Sequence, residues 1–302
     1  MAVLSALAWW VGARAQAIYE ALPAAVPPTP ALRLAVTEYR RGWLCSQAVA
    51  RLDLAAGDEI TVMLRSDIHH GLLPVTWWAR EGPDPLLALA VIRTGLAGDV
   101  TGSAVTQVRL LGDSRTAFTL PSLETPAWRV AGMAGVVHGD TAGRIRGEAQ
   151  IAMLSLDAAV TVQDVAVQFD VRVHDGLLDG RLRLAMADGT LALQVADLNP
   201  AALVGTRLAE LPQHFRQGAA QLTMTKNLLR ALLIANFKQQ LPAAGRNQTL
   251  LDSYAAVQAD RRLALLEQTG VLRPDGDRYH AEVRLDSGRL FVNAAEVPLP
   301  AH

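Results

Sequence analysis

Apolar and polar residues alternate with a period of two over the segment 31–198. One such run contains Val165, Val167 and Phe169, with small or polar residues between them. This alternation predicts β-strands that cover one face and expose the other. Short turn segments such as Asp188-Gly189 separate the runs, and short turns join antiparallel neighbours. The pattern therefore predicts a long twisted antiparallel sheet of about ten or more strands.

Helical periodicity begins only late in the chain, over about residues 199–270. Asn199-Pro200 is typical of a helix start, because proline suits the first helical position. Leu228, Leu232 and Phe237 then recur at helical spacing and form an apolar stripe. These three residues either belong to a filled core or line an apolar groove that holds a ligand.

A second helix is predicted from Asp252 to Gln268, with Gly270 as its stop. The chain then ends in a β-hairpin from Tyr279 to Pro298, where apolar residues alternate again. We expect this hairpin, within the segment 271–302, to complete the sheet that begins near Leu32. The predicted fold class is α+β, mostly β, with the helices placed between the main strands and the closing hairpin.

Five glycines recur in the middle of the strand region: Gly132, Gly135, Gly139, Gly143 and Gly147. We interpret them as turns and bulges, since glycine permits positive φ. A phosphate-binding loop requires a helix after it, whereas a strand pattern follows here.

Residues 1–30 form a separate segment. Val3 to Ala13 is apolar apart from a serine and a glycine and contains the pair Trp9-Trp10. This stretch is shorter than the roughly 20 residues that span a bilayer. It is either the second half of a membrane anchor that starts upstream or the first turns of an amphipathic helix. A proline-rich linker, Pro23 to Pro30, then leads to a single β-rich domain over residues 31–302.

The composition argues against several partners and bonds. The formal net charge is −1, from 28 basic and 29 acidic residues, so nucleic acid is not expected as a partner. Cys45 is the single cysteine, which rules out an intrachain disulfide. The apolar share of 51% is enough to build a core without disulfides or metal ions.

No sequence pattern indicates catalysis or metal binding. The seven histidines form no His-x-x-x-His pair, and neither a Gly-x-Ser-x-Gly elbow nor a Ser-x-x-Lys pair occurs. His174-Asp175-Gly176 is interpreted as a turn. We therefore predict no catalytic residue, no metal site and no cofactor, and we expect the protein not to be an enzyme.

Four short segments stand out as landmarks: Gly12 to Tyr19, Glu38 to Ser46, Asp67 to Pro74 and Tyr279 to Asn293. Their individual landmark residues are Tyr39, Arg41, Gly42, Trp43, Ser46, His70, Gly71 and Asn293. Together these segments resemble the YdgA-like family of bacterial proteins, a group of unknown function. The chain departs from that family's pattern at Leu72, where a proline is usual, and at Ala294, which replaces a glycine.

The resemblance implies an envelope protein on the periplasmic side, anchored to the inner membrane by an N-terminal segment that is incomplete here. It implies no reaction. We expect a non-catalytic structural or interaction module with another envelope protein as its partner. The alternative is binding or transport of a lipid or other amphiphile in an apolar groove of the sheet.

Two landmark residues carry expectations for stability. If the ring of Trp43 belongs to the core, its replacement by alanine costs about 3–5 kcal/mol. If His70 is merely exposed, its replacement by alanine leaves stability nearly unchanged.

Overall fold

The computed structural model describes residues 2–25, 32–55, 59–70, 88–98, 100–109, 112–124, 128–156, 160–175, 177–198, 217–240, 248–286 and 289–297. Its helices are α1 (Ala2–Ala25), α2 (Lys226–Gln240) and α3 (Gln248–Gln268). Its strands are β1 (Leu32–Arg40), β2 (Cys45–Ala55), β3 (Glu59–His70), β4 (Ala88–Gly98), β5 (Thr101–Arg109), β6 (Ser114–Glu124), β7 (Trp128–Gly139), β8 (Arg144–Leu156), β9 (Val160–His174), β10 (Leu177–Met186), β11 (Gly189–Leu198), β12 (Gln217–Thr225), β13 (Arg273–Asp275), β14 (Arg278–Asp286), β15 (Arg289–Val292) and β16 (Ala295–Val297).

The strands pair in the order of the sequence. Each strand from β1 to β12 is hydrogen-bonded to its sequence neighbours, β14 to β16 continue the order, and β13 pairs with β14 beside this path. The pairings are antiparallel, as short connections require. The prediction of a mostly β fold built on one long antiparallel sheet is confirmed, with sixteen strands among the described residues. The closing strands lie at the far end of the order from β1, as predicted.

The chain forms two compact units. Unit 1 comprises Met1–Glu124 and Ala131–Ala149, and unit 2 comprises Thr125–Val130 and Gln150–His302. In unit 1, Val62 and Val100 form a buried cluster on which leucines of β2, β3, β4 and β6 pack. Apolar residues that alternate along adjacent strands meet on one face, and their burial supplies the driving force for this core.

The core of unit 2 joins the sheet to α2 and α3. Leu228 and Ala235 of α2 pack with buried valines at the start of β9 and with Met224 at the end of β12. Leu263 of α3 packs with Tyr279 of β14. The hydroxyl of Tyr279 donates a hydrogen bond to Glu267, and this bond is the main cause that raises the pKa of Tyr279 to about 12. The helices are therefore fixed to one end of these strands.

The helical region is shorter than predicted. The apolar stripe lies on α2, and α3 includes the predicted segment 252–268, so both helices are confirmed. β12, however, is a strand where helix was expected. Its alanines and glutamines favour helix, but pairing with β11 on one side and β14 on the other decides its conformation. The predicted helix start at Asn199-Pro200 lies outside the described residues.

The N-terminal helix also differs from expectation. The linker was expected to begin at Pro23, but α1 continues to Ala25. Pro23 lies in the last turn of α1, where it removes one backbone N–H donor but does not end the helix. Within the described part of the chain, no helix combines the length and the apolar character needed to cross a membrane. The remainder of the predicted linker lies outside the described residues.

Most of the recurring glycines lie inside strands rather than in turns. Gly132 and Gly143 have positive φ, and Gly143 lies in the turn between β7 and β8 as predicted. Gly135 lies within β7, where an added Cβ would stand 2.5 Å from the carbonyl oxygen of Glu148. Gly135 therefore does not lie in a turn, and its lack of a side chain permits close approach of neighbouring backbones.

Asn293 connects the closing strands to the end of α3. Its amide nitrogen donates to the carbonyl oxygens of Gly270 and Val271, at 2.6 and 3.0 Å. Its Oδ1 accepts a hydrogen bond from the backbone nitrogen of Glu282 at 2.8 Å. Asn293 adopts φ 48° and Ala294 adopts φ 70°, both in the left-handed region. Asparagine tolerates this region, whereas alanine is strained there.

Replacing Ala294 with glycine should therefore stabilise the protein. Glycine removes the Cβ strain at φ 70°, and part of that gain is offset by the greater freedom of the unfolded chain. We expect the free energy of unfolding to rise by about 0.5–1 kcal/mol in denaturant titration. Ala35→Gly, at an exposed position of β1 without positive φ, is the matched control and should destabilise instead. A loss of stability in Ala294→Gly would contradict the strain.

Candidate functional site

Two landmark residues, His70 and Ser46, form a buried polar pair in unit 1. The side chain of His70 is 0% exposed and that of Ser46 is 1% exposed. His70 Nε2 lies 3.1 Å from Ser46 Oγ, and the His70 backbone nitrogen donates to the Leu44 carbonyl oxygen at 2.9 Å. The expectation that replacing His70 leaves stability nearly unchanged required an exposed side chain, and His70 is buried instead. The alternation of β3 contained the signal, because His70 has the same parity as the core residue Ile68.

Helix α1 lies directly against this pair. An added Cβ on Gly12 would stand 2.7 Å from His70 Cε1, closer than real Cβ contacts. A glycine at this position of the helix is therefore required by the imidazole ring, not by a turn. Gly12 and His70 are complementary in shape, which explains why both belong to landmark segments.

Further along α1, Tyr19 extends the buried polar cluster. Its ring packs on that of Tyr39, with ring centroids 5.8 Å apart. Burial raises the pKa of Tyr19, and a side-chain hydrogen bond with Ser66 acts in the opposite direction. The Ser66 hydroxyl lies 2.9 Å from that of Thr94. Tyr39 thus serves as an aromatic contact for the helix.

The landmark segment around Gly42 holds the middle of α1. The guanidinium carbon of Arg41 lies 4.5 Å from the ring centroid of Trp9, and Arg41 Nη2 donates to the Trp9 carbonyl oxygen at 3.0 Å. An added Cβ on Gly42 would stand 2.1 Å from the Cys45 carbonyl oxygen, so this tight entry to β2 requires glycine. Trp43 is 64% exposed, so its ring does not belong to the core, and the large loss of stability expected for a core ring does not apply.

Three landmarks of the N-terminal half, Tyr39, Arg41 and His70, therefore hold α1 on the sheet. Gly71 lies outside the described residues, and Asn293 belongs to the closing strands. A serine beside a histidine is the beginning of a nucleophile and its base. Here both side chains lie beneath α1, closed to a substrate carbonyl in this conformation.

One cluster in unit 2 brings together residue types that bind metals. His174 Nδ1 lies 3.6 Å from Asp179 Oδ2, and its Nε2 lies 3.7 Å from Asp197 Oδ1. Asp197 is held at φ 56° and donates its backbone N–H to Asp179 Oδ1 at 3.0 Å. An ion needs its ligand atoms around one point at about 2.0–2.2 Å. One ligand atom of each residue lies within 4.8 Å of the others, but the two carboxylates face different ring nitrogens, and neither is within hydrogen-bond distance of its nitrogen.

The residues expected to line a groove, Leu228, Leu232 and Phe237, lie on α2. Leu228 is buried in the core of unit 2, and Leu232 packs against that core. Phe237 is half-buried farther along the helix. The first two therefore hold α2 on the sheet, in a core against which Val167 and Leu222 also pack.

Beyond this helix-covered end, the same face of the sheet carries two rows of apolar residues, which we call the apolar rows. Strand register aligns the first row as Phe169, Leu182, Leu193, Ala220, Val283 and Val292. It aligns the second as Val171, Gly180, Val195, Gly218, Leu285 and Leu290. Neither row contains a charged or polar side chain.

Leu285 of the second row is buried, at 4% exposed, but the apolar rows as a whole are only partly shielded from solvent. Leu193 is 36% exposed, and Val173, two residues beyond Val171 on the same face, is 45% exposed. Gly218 and Ala220 place small residues on the central strand β12. The space above Gly180 is filled, because an added Cβ there would stand 3.2 Å from Leu178 Cδ2. The opposite face of the same strands is polar and carries Gln168, Asp170, Arg181, Arg183, Gln194 and Gln221.

Fold and site define a mostly β protein whose sheet carries an attached N-terminal helix and an incompletely covered apolar face. The chain matches the model of a family described as bacterial protein of unknown function, DUF945, over residues 1–180 and 177–300. It belongs to this family, which confirms the expectation of a bacterial protein from a group of unknown function. No curated protein matches the chain.

The contact between Gly12 and His70 predicts a change of sign in a double-mutant cycle. Gly12→Ala alone should destabilise by about 1–3 kcal/mol, because its methyl group meets the ring. With His70→Ala already present, the same change should stabilise by about 0.5–1 kcal/mol, since alanine is the better helix former. Chemical denaturation of the four variants measures both effects. An additive cycle would show that α1 does not rest on this ring.

Proposed function

We propose that this DUF945 protein is a non-catalytic binding module that holds the acyl chain of a lipid or similar amphiphile against the apolar rows of unit 2. The observation that carries the proposal is the uninterrupted apolar character of two cross-strand rows on six strands, next to exposed Leu193 and Val173. An antiparallel sheet ordinarily covers its apolar face with its own core. An apolar surface left partly open favours a ligand or partner.

The rows offer enough apolar surface for useful affinity. Each buried methylene contributes about 0.8 kcal/mol. A chain that buries about eight methylenes gains roughly 6 kcal/mol, before the cost of lost freedom is subtracted. Micromolar binding needs about 8 kcal/mol in total, so contacts of the head group must supply the rest. Gly218 and Ala220 add little side-chain bulk where such a chain would lie.

A periplasmic location with attachment to the inner membrane is part of this proposal. Trp9 and Trp10 on α1 are 58% and 55% exposed. Tryptophan is favoured at membrane interfaces, where its ring lies at the level of the lipid head groups. The resemblance to YdgA-like envelope proteins in the segment from Gly12 to Tyr19 supports the same location.

A structural or interaction module is the competing function. In that case another envelope protein, not an acyl chain, covers the apolar rows. The same exposed residues would serve as the contact, because protein interfaces also have apolar centres. The test below distinguishes the two.

Leu193→Asp should abolish lipid binding, because it places a charge in the middle of the first apolar row. Native mass spectrometry of gently purified wild-type protein should detect a co-purified lipid, and the variant should lose it. In titrations with a fluorescent fatty acid, we expect the Kd of the variant to rise at least about tenfold, or about 1.4 kcal/mol.

Gln194→Asp is the matched control, since it adds the same charge one position along β11 on the polar face. It should bind like the wild type, and both variants should keep the wild-type circular dichroism spectrum. Equal binding by Leu193→Asp and Gln194→Asp would contradict the proposal. A wild-type protein free of lipid that forms a complex with an envelope protein, lost in Leu193→Asp alone, would favour the interaction module.

A further inference from the structure

Four arginines and a histidine surround one cavity in unit 1. Arg109 ends β5 and Arg115 follows on β6, while Arg144 and Arg146 begin β8. His138 lies near the end of β7. The cavity they line has a volume of about 320 Å³. We call it the arginine cavity.

Two neighbouring turns bring these side chains together. Between β5 and β6, the Arg109 backbone nitrogen donates to the Asp113 carbonyl oxygen at 2.8 Å. Between β7 and β8, Asp140 Oδ1 accepts hydrogen bonds from the backbone nitrogens of Ala142 and Arg144, at 2.9 and 3.0 Å. Asp140 Oδ1 is therefore already hydrogen-bonded within its own turn and is less available to pair with the guanidinium groups.

The cavity carries an excess of positive charge. Its lining includes four arginines and two aspartates, which gives a formal charge of four minus two, or +2, in a chain whose net charge is −1. The side chains of Arg115 and Arg146 make no hydrogen bond or ion pair with any residue that the structure describes. Two guanidinium groups without a carboxylate partner, beside two further arginines, favour an anion that is supplied from outside.

The positive charge of the cavity affects the pKa of His138. Burial lowers its pKa, and the neighbouring guanidinium groups lower it further, while the carboxylate of Glu148 acts in the opposite direction. The imidazole is therefore neutral near pH 7 and offers one N–H donor without adding to the repulsion.

Two small residues, Ser114 and Gly139, also line the cavity. An added Cβ on Gly139 would stand 2.9 Å from Ser114 Oγ, so glycine at this position keeps the space beside the hydroxyl group open. Ser114 adds a neutral donor to those of the arginines. A volume near the lower limit of small-molecule sites suits a single oxyanion with a small attached group.

We propose that the arginine cavity binds a phosphate group, either free in solution or on the head group of a phospholipid. Phosphate oxygens accept the paired N–H groups of guanidinium, and a doubly charged anion neutralises the formal excess of +2. This inference does not rest on the apolar rows, whose residues all lie in the other unit.

The first test uses inorganic phosphate and glycerol 3-phosphate on the full chain. Phosphate near His138 favours the charged imidazolium, so its pKa, followed by nuclear magnetic resonance of labelled histidine, should rise when either anion is added. The variant Arg115→Gln/Arg146→Gln should abolish this rise and weaken binding in calorimetry at least about tenfold. Arg65→Gln, an exposed arginine of β3 near acidic Glu38 and Asp67, is the control and should behave like the wild type.

Vesicles separate the two sources of phosphate. Binding to phosphatidylcholine vesicles that contain phosphatidic acid, without binding of the soluble anions, would place the phosphate on a lipid head group. Binding of the soluble anions assigns the site to free phosphate groups, and either result supports the proposal provided that Arg115→Gln/Arg146→Gln removes it. No binding in either experiment, or equal loss in Arg65→Gln, would overturn it. Melting temperatures of all variants verify that they are folded.

Discussion

The hydrogen-bonded register between consecutive antiparallel strands determines which face each side chain of this protein occupies. Side chains alternate across a sheet, so a slip of one residue in any strand would move its apolar residues onto the polar face. In unit 2 the register holds from β9 to β12 and through β14 to β15. Both the continuity of the apolar rows and the polarity of the opposite face follow from it.

Local irregularities preserve this separation instead of breaking it. Along β9, the buried valines at positions 160 and 162 are two residues apart, but the next buried valine is Val165, three residues further on. One extra residue therefore interrupts the alternation. The structure accommodates the extra residue at Asp164, which has φ 52°. Between Leu178 and Gly180 the pairing with β11 also shifts, next to the left-handed Asp197. In both places an aspartate absorbs the conformation that would otherwise reverse the faces of a strand.

The spacing of apolar residues was sufficient to predict the sheet and the closing strands, where the period is two, and both late helices, where the spacing is helical. It was insufficient for β12, whose composition favours helix and whose two strand neighbours are distant in sequence. It also did not reveal the role of α1, since the contact of Gly12 with His70 joins residues that no local pattern relates. Propensity describes a segment by itself, whereas these outcomes depend on what packs against it.

The same limit explains why the landmark residues and the proposed binding surfaces differ. His70, Ser46 and Asn293 are recognisable because short segments of chain must fit closely around them, as the hydrogen bonds of Asn293 show. A binding surface on a sheet takes one or two residues from each of several strands, so Leu193 and Arg115 belong to no compact motif. In a long antiparallel sheet, residues that form recognisable short motifs therefore stabilise the fold. Residues that bind a ligand have to be sought in the cross-strand rows that the register brings together.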